Sequence, residues 1–206
     1  YDTQSIGNDY IKLINKNQKN KNIFFIKEKS SFKSSLNNLI KKIKHSQTKN
    51  LNLLFFVDDQ ILFKEIKIKS LRKLSKYSPI STLRLGLNTK WSYNLNKKQS
   101  FESYKYITYG DCIQWIPKFK NDEISYVFSF DGSTIPLVLF DKFTKYLFFK
   151  GPNSLESSMN YSGLFYKIFK QKISSFNEQS VVNIVISQVQ KETNNRGKFI
   201  DVDKLK

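Results

Sequence analysis

Apolar residues fill nearly every position of 51–57 and stop at two adjacent carboxylates, Asp58 and Asp59. Such a run suits a strand covered on both faces and predicts a strand central to a sheet. Upstream, 6–13 has helical spacing, 15–22 reads as a loop and 22–26 as a short strand. Phe32, Leu36, Leu39, Ile40 and Ile43 then share one helical face behind Ser30 and Ser31, so a helix is expected to end near His45. After the acidic pair, Ile66, Ile68, Leu71 and Leu74 predict a helix within 63–77, stopped by Ser78 and Pro79.

The second half continues the alternation. Residues 82–87, Thr-Leu-Arg-Leu-Gly-Leu, predict a strand in which Arg84 sits among apolar neighbours and requires an anion. That anion is either a protein carboxylate or a phosphate or sugar group of a ligand. Residues 90–111 interleave Trp91, Tyr93, Phe101, Tyr104, Tyr106 and Tyr109 with polar side chains and read as a long excursion over the sheet. Their rings suit either a sugar face or rim packing. Residues 124–130 alternate as a strand that again ends in acid, at Asp131 and Gly132. Residues 137–149 predict a buried helix, alone or followed by a short strand, ended by Gly151, Pro152 and Asn153. Asn153 or Ser154 then caps a helix carrying Leu155, Met159, Leu164, Ile168 and Phe169, with Glu156 in the first turn, where the macrodipole favours an acid. A β-branched strand at 181–186, a short helix at 188–195 and another from 199 to 205 complete the chain. This order predicts one α/β domain over 1–206, with a mixed, mostly parallel central sheet flanked by helices.

Composition narrows the classes of function. The formal charge of +18 points toward polyanions. Only Arg72, Arg84 and Arg196 are arginines, however, and the remaining lysines of the 35 cations are spread along the whole chain. Bidentate recognition of bases and phosphates favours Arg, so no specific nucleic-acid partner is expected. A basic non-catalytic module that binds nucleic acid or an anionic surface is the alternative to an enzyme. The single cysteine, Cys112, excludes an internal disulfide and a Cys-based zinc site and fits a reducing, cytoplasmic setting. No apolar run reaches the about 20 residues that cross a bilayer, although lysines allow peripheral contact with a membrane face.

Three apolar runs end at polar residues that can face one crevice: Asp58 and Asp59, Arg84 with Asn88, and Asp131. In open α/β sheets ligands bind outside the strand ends. Two adjacent carboxylates there are relieved of mutual repulsion by a divalent cation held against a phosphate, though the same pair also starts turns and helices. At this point the chain resembles bacterial glycosyltransferases of the GT-A fold. The resemblance rests on Phe-Phe-Val-Asp-Asp, Leu-Arg-Leu-Gly-Leu-Asn, Ser-Phe-Asp-Gly, Gly-Pro-Asn-Ser-Leu-Glu, and Val-Asn-Ile followed by Val-Gln and Asn-Asn-Arg-Gly. It runs from about Phe24 to Arg196.

The resemblance implies transfer of a sugar from a nucleotide-sugar donor to a hydroxyl of a glycan or lipid-linked acceptor. Asp59, with Asp58, would hold Mn²⁺ or Mg²⁺ against the donor diphosphate; the family motif is often Asp-x-Asp and here reads Val-Asp-Asp, which leaves open which aspartate carries the metal. Asp131 would be the general base, with Glu156 as the alternative. Arg84, Asn88 and Arg196 would contact the donor. The only histidine, His45, precedes the acidic motif, so water or substrate oxygens would complete the metal shell. Little of the family's longer amino-terminal half is visible before Leu51, and the chain is expected to lack part of that nucleotide-binding region.

Overall fold

A computed structural model describes residues 7–20, 23–24, 26, 31–45, 50–57, 60–92, 94–118, 120, 122–126, 128–162 and 172–183. Its elements run α1 (Gly7–Asn17), α2 (Phe32–His45), β1 (Asn52–Leu54), β2 (Gln60–Leu62), α3 (Ile68–Tyr77), β3 (Ser81–Thr82), β4 (Trp91–Ser92), β5 (Lys97–Lys98), a 3-10 turn (Phe101–Ser103), β6 (Tyr106–Tyr109), β7 (Cys112–Trp115), β8 (Ser133–Pro136), α4 (Leu137–Tyr146), α5 (Pro152–Tyr161), β9 (Ile173–Phe176) and β10 (Val181–Asn183). The architecture is mixed α/β, with a six-stranded mixed sheet in the order β1-β8-β3-β9-β7-β6.

Two expectations about the sheet are corrected first. The sheet is not mostly parallel: β3 and β9 pair in parallel, and the other four pairings are antiparallel. Among the described residues the strand from the 51–57 run is not central but an edge strand bonded only to β8. Its near-continuous hydrophobicity does not come from burial on both faces, since Leu51, Phe55 and Val57 are part-buried while Leu54 and Phe56 are 36% and 49% exposed. The centre of the sheet is instead built from short hydroxyl-rich strands. Ser81, Thr82, Ser133, Thr134, Ser174 and Ser175 are all buried. Their hydroxyls satisfy one another and the backbone: Ser81 Oγ with Thr134 Oγ1, Ser78 Oγ with Ser174 Oγ at 2.7 Å, and Ser174 Oγ donating to Leu74 O at 3.1 Å.

Helices cover both faces. Strand periodicity sends Ile113 and Trp115 into the larger core and Cys112 toward α3. The larger core gathers Ile40 of α2, Phe140 and Phe143 of α4, and Leu155 and Met159 of α5. Rings of Phe55, Phe128, Phe130 and Phe140 meet with centroids 5.0 to 6.1 Å apart. The predicted helix ending at His45 forms as α2. Its start is capped by Ser31 Oγ, which accepts Ser34 N–H at 3.3 Å, and its far end meets α4 through Lys44 and Asp141 at 2.7 Å. On the other face Leu74 packs with Leu83, Cys112 and Val181.

The described residues of 124–130 form no strand. Ile124 and Phe128 are buried, and the chain turns at 123–126, with Tyr126 N–H donating to Glu123 O at 3.2 Å. The supposed excursion at 90–111 closes as a β4–β5 hairpin and then returns to the sheet as the edge strand β6. Ile23, Phe24 and Ile26 lie outside regular structure. The helices expected at 188–195 and 199–205, and the Leu164, Ile168 and Phe169 part of the helix expected after Ser154, lie outside the described residues.

Candidate functional site

The register of β8 with its two neighbours creates one edge at which Asp131 and Arg84 meet. Leu54 pairs with Thr134, and the ladder extends one step, with Phe55 N–H donating to Ser133 O at 3.1 Å and Gly132 N–H to Phe55 O at 2.9 Å. On the other side Thr82 pairs with Ser133, and Leu83 N–H donates to Gly132 O at 2.9 Å. The ends of β1 and β3 therefore meet the turn that opens β8, and Asp131 and Arg84 stand at that edge. Gly132 has φ +82°, and a Cβ there would lie 3.3 Å from that of Leu83, so the tight turn selects glycine.

Arg84 is largely buried and finds its anion within the protein. One Nη pairs with Glu123, and the other donates to Tyr126 O at 2.8 Å. Glu123 also accepts Ser92 Oγ–H at 2.6 Å, which ties the β4–β5 hairpin to the same pair. Arg84 Nε is buried with no partner among the described residues.

Helix α5 supplies the second carboxyl. It starts at Gly151, with Pro152 pre-set for the first turn and Ser154 Oγ accepting both Lys150 and Gly151 N–H at 2.9 Å. Leu155 and Met159 bury one stripe. One position along from each, Glu156 and Asn160 reach the 128–131 turn. Glu156 Oε2 accepts Phe130 N–H at 3.0 Å, Asn160 Oδ1 accepts Phe128 N–H at 3.2 Å, and Asn160 Nδ2 donates to Phe128 O at 2.6 Å. Burial pushes the Glu156 carboxyl up from 4.5 to about 7, and the Asp131 charge adds to this. The Phe130 N–H, Arg84 and the Tyr126 hydroxyl pull the other way. Burial likewise raises the Tyr126 phenol. Glu156 is thus a carboxyl able to carry or release a proton near neutrality, beside an aspartate that repels its charged form.

Of the sequence candidates, the structure brings Asp131, Glu156 and Arg84 together. Asn88 is engaged elsewhere, with its Oδ1 accepting Gln179 N–H at 2.9 Å. Asp58, Asp59 and Arg196 lie outside the described residues. Next to the acidic pair, Val57 N–H donates to Gln60 Oε1 at 3.0 Å, and Gln60 faces Asn183 across the β2–β10 ladder. Gln60 Nε2 and Asn183 Oδ1 are both buried without a partner among the described residues. The Asn183 amide oxygen is a hard donor, of the type that suits Mn²⁺ or Mg²⁺.

Glu123, Tyr126 and Asn160 were missed in the sequence. The first two were hidden by the strand-like alternation of 124–130, whereas Asn160 carried a signal, four residues after Glu156 on one helical face. Compared with known protein families, curated proteins and solved structures, the chain matches none.

Proposed function

We propose that the chain is a metal-dependent glycosyltransferase of GT-A type, moving a sugar from a nucleotide-sugar donor to a hydroxyl of a glycan or lipid-linked acceptor. The observation that supports it most is the convergence of Arg84, Asp131 and Glu156 at the sheet edge where β1, the strand leading to Asp58 and Asp59, ends. Asp131, part-buried in the turn before β8, is the general base. It takes the proton of the acceptor hydroxyl as that oxygen bonds to the anomeric carbon, and the bond to the donor diphosphate breaks with its electron pair on the departing phosphate. Asp59 and Asp58 would hold the metal, with the Asn183 amide oxygen close in the ladder. The ion supplies neutralisation of charge on the leaving diphosphate. Arg84 holds the 123–126 turn beside the base. No described helix is long and apolar enough to cross a membrane, and we place the enzyme in the cytoplasm, in peripheral contact with the membrane through its lysines.

Thermal unfolding tests the donor site directly. Mn²⁺ together with the correct nucleoside diphosphate raises the midpoint, and Asp59→Asn removes that rise, because a ligand bound only by the folded form stabilises it. No rise with uridine, guanosine or cytidine diphosphate contradicts the assignment.

A further inference from the structure

Asp131 stands just before Gly132 in a turn with little regular structure of its own. Phe128, Phe130 and Asp131 all lie outside the β8 ladder, and their backbone groups bond to side chains. Phe128 is held on both its N–H and its C=O by Asn160, Phe130 N–H by Glu156 at 3.0 Å, and Asp131 N–H by Ser129 Oγ at 3.2 Å. Glu156 and Asn160 are four residues apart, and Asn160 Nδ2 also donates to Glu156 O at 2.9 Å. The two side chains form a clamp on one face of α5, itself fixed by buried Leu155 and Met159.

From this geometry we infer that Glu156 and Asn160 are positioning residues, which hold the 128–131 turn so that the Asp131 carboxylate is presented to the acceptor hydroxyl, and that Glu156 is not itself the base. The inference rests on the glycosyltransferase assignment and deepens it. The Glu156 oxygen is committed to Phe130 N–H and its surroundings to the Tyr126 hydroxyl, whereas the Asp131 carboxylate takes no hydrogen bond from the described residues. Among the described residues, the charged and titratable groups acting on Glu156 are Asp131, Arg84 and Tyr126. Glu156 in its protonated form leaves Asp131 as the only negative charge of the pair, and its ionisation places a second one beside the base.

Steady-state transfer by the full chain, with Mn²⁺ and the donor that wild-type protein turns over, tests the clamp. Glu156→Ala should lower kcat by about 100-fold, the scale expected for a misplaced catalytic group, with the donor KM within a few-fold of wild type. Glu156→Gln keeps an oxygen for Phe130 N–H and should recover at least tenfold of that loss. It should also remove the limb near pH 7 from the kcat profile, which a merely structural role would not do. Asn160→Ala, which leaves Glu156 in place, should lower kcat in the same direction, and it keeps the test decisive if Glu156→Ala fails to fold. Equal kcat in wild type, Glu156→Ala and Asn160→Ala overturns the clamp alone. A Glu156→Gln enzyme as impaired as Asp131→Asn makes Glu156 the base and also overturns it. Wild-type protein that turns over no nucleotide sugar overturns the underlying assignment, and is thereby distinguished from failure of the clamp.

Discussion

Glu156 and Asp131 are coupled through one backbone hydrogen bond: the Glu156 carboxylate oxygen accepts Phe130 N–H at 3.0 Å, immediately before Asp131, and the two carboxyls repel. The first consequence concerns stability. The folded-state value of Glu156, about 7, lies above its ordinary 4.5. Between those values the folded protein keeps a proton that the unfolded chain has released. The stability contributed by this group is therefore fully present below about pH 4.5 and is lost as pH rises through about 7. The total is about 3 kcal/mol, since each tenfold change in proton affinity is worth about 1.4 kcal/mol. Urea unfolding of wild type and Glu156→Gln should diverge by that order between pH 5 and pH 8, with wild type falling relative to the variant. Parallel pH responses would falsify the raised carboxyl.

Arg84 and Glu123 are 11% and 14% exposed at their side chains, so neither is well hydrated when alone. Arg84→Ala strands the Glu123 charge and should cost about 3–5 kcal/mol in chemical denaturation. Replacing both residues with apolar side chains of similar size should cost clearly less than the single change. Additive losses in this double-mutant cycle would show that the two do not interact.

Gly86 is pressed against backbone. A Cβ at that position would overlap Gln179 N and stand 2.6 Å from Glu178 C, neither of which can rotate away. Gly86→Ala should lower stability by about 1–3 kcal/mol, as overpacking does, and should part Asn88 from Gln179. Gly151→Ala, where a Cβ meets nothing within 4 Å, should cost less. A comparison of thermal midpoints decides between them.

Helices were more legible in the sequence than the sheet. The apolar stripe Phe32, Leu36, Leu39, Ile40 and Ile43 predicted α2 and an end near His45 because helix burial imposes a 3.6-residue period that survives an unusual composition. The central strands β3 and β9 read Ser-Thr and Ile-Ser-Ser-Phe, with hydroxyls buried where hydropathy expects Val or Ile, and so left no apolar run to find. The hairpin of β6 and β7 was legible in principle: Gly110 and Asp111 separate two alternating segments, Tyr-Ile-Thr-Tyr and Cys-Ile-Gln-Trp. At the candidate site, Asp131 and Arg84 were readable as charged residues at the ends of apolar runs. The clamp was not, because Glu156 meets Phe130 only through the packing of α5 on the larger core. Arg84 illustrates the same limit: its need for an anion was plain from its apolar neighbours, but the identity of Glu123 as that anion depended on a turn that alternation had disguised as a strand.

Release of nucleoside diphosphate from a panel of nucleotide sugars, followed with and without Mn²⁺ in the presence of hydroxyl acceptors, is the most direct measurement. Mn²⁺-dependent release from at least one donor is the predicted result. That release should be abolished in Asp59→Asn, while Asp131→Asn should lose transfer more than donor binding. No release from any donor, together with salt-resistant binding to one nucleic-acid sequence that survives conversion of Asp58, Asp59 and Asp131 to Asn, would contradict the glycosyltransferase assignment and identify a basic binding module instead.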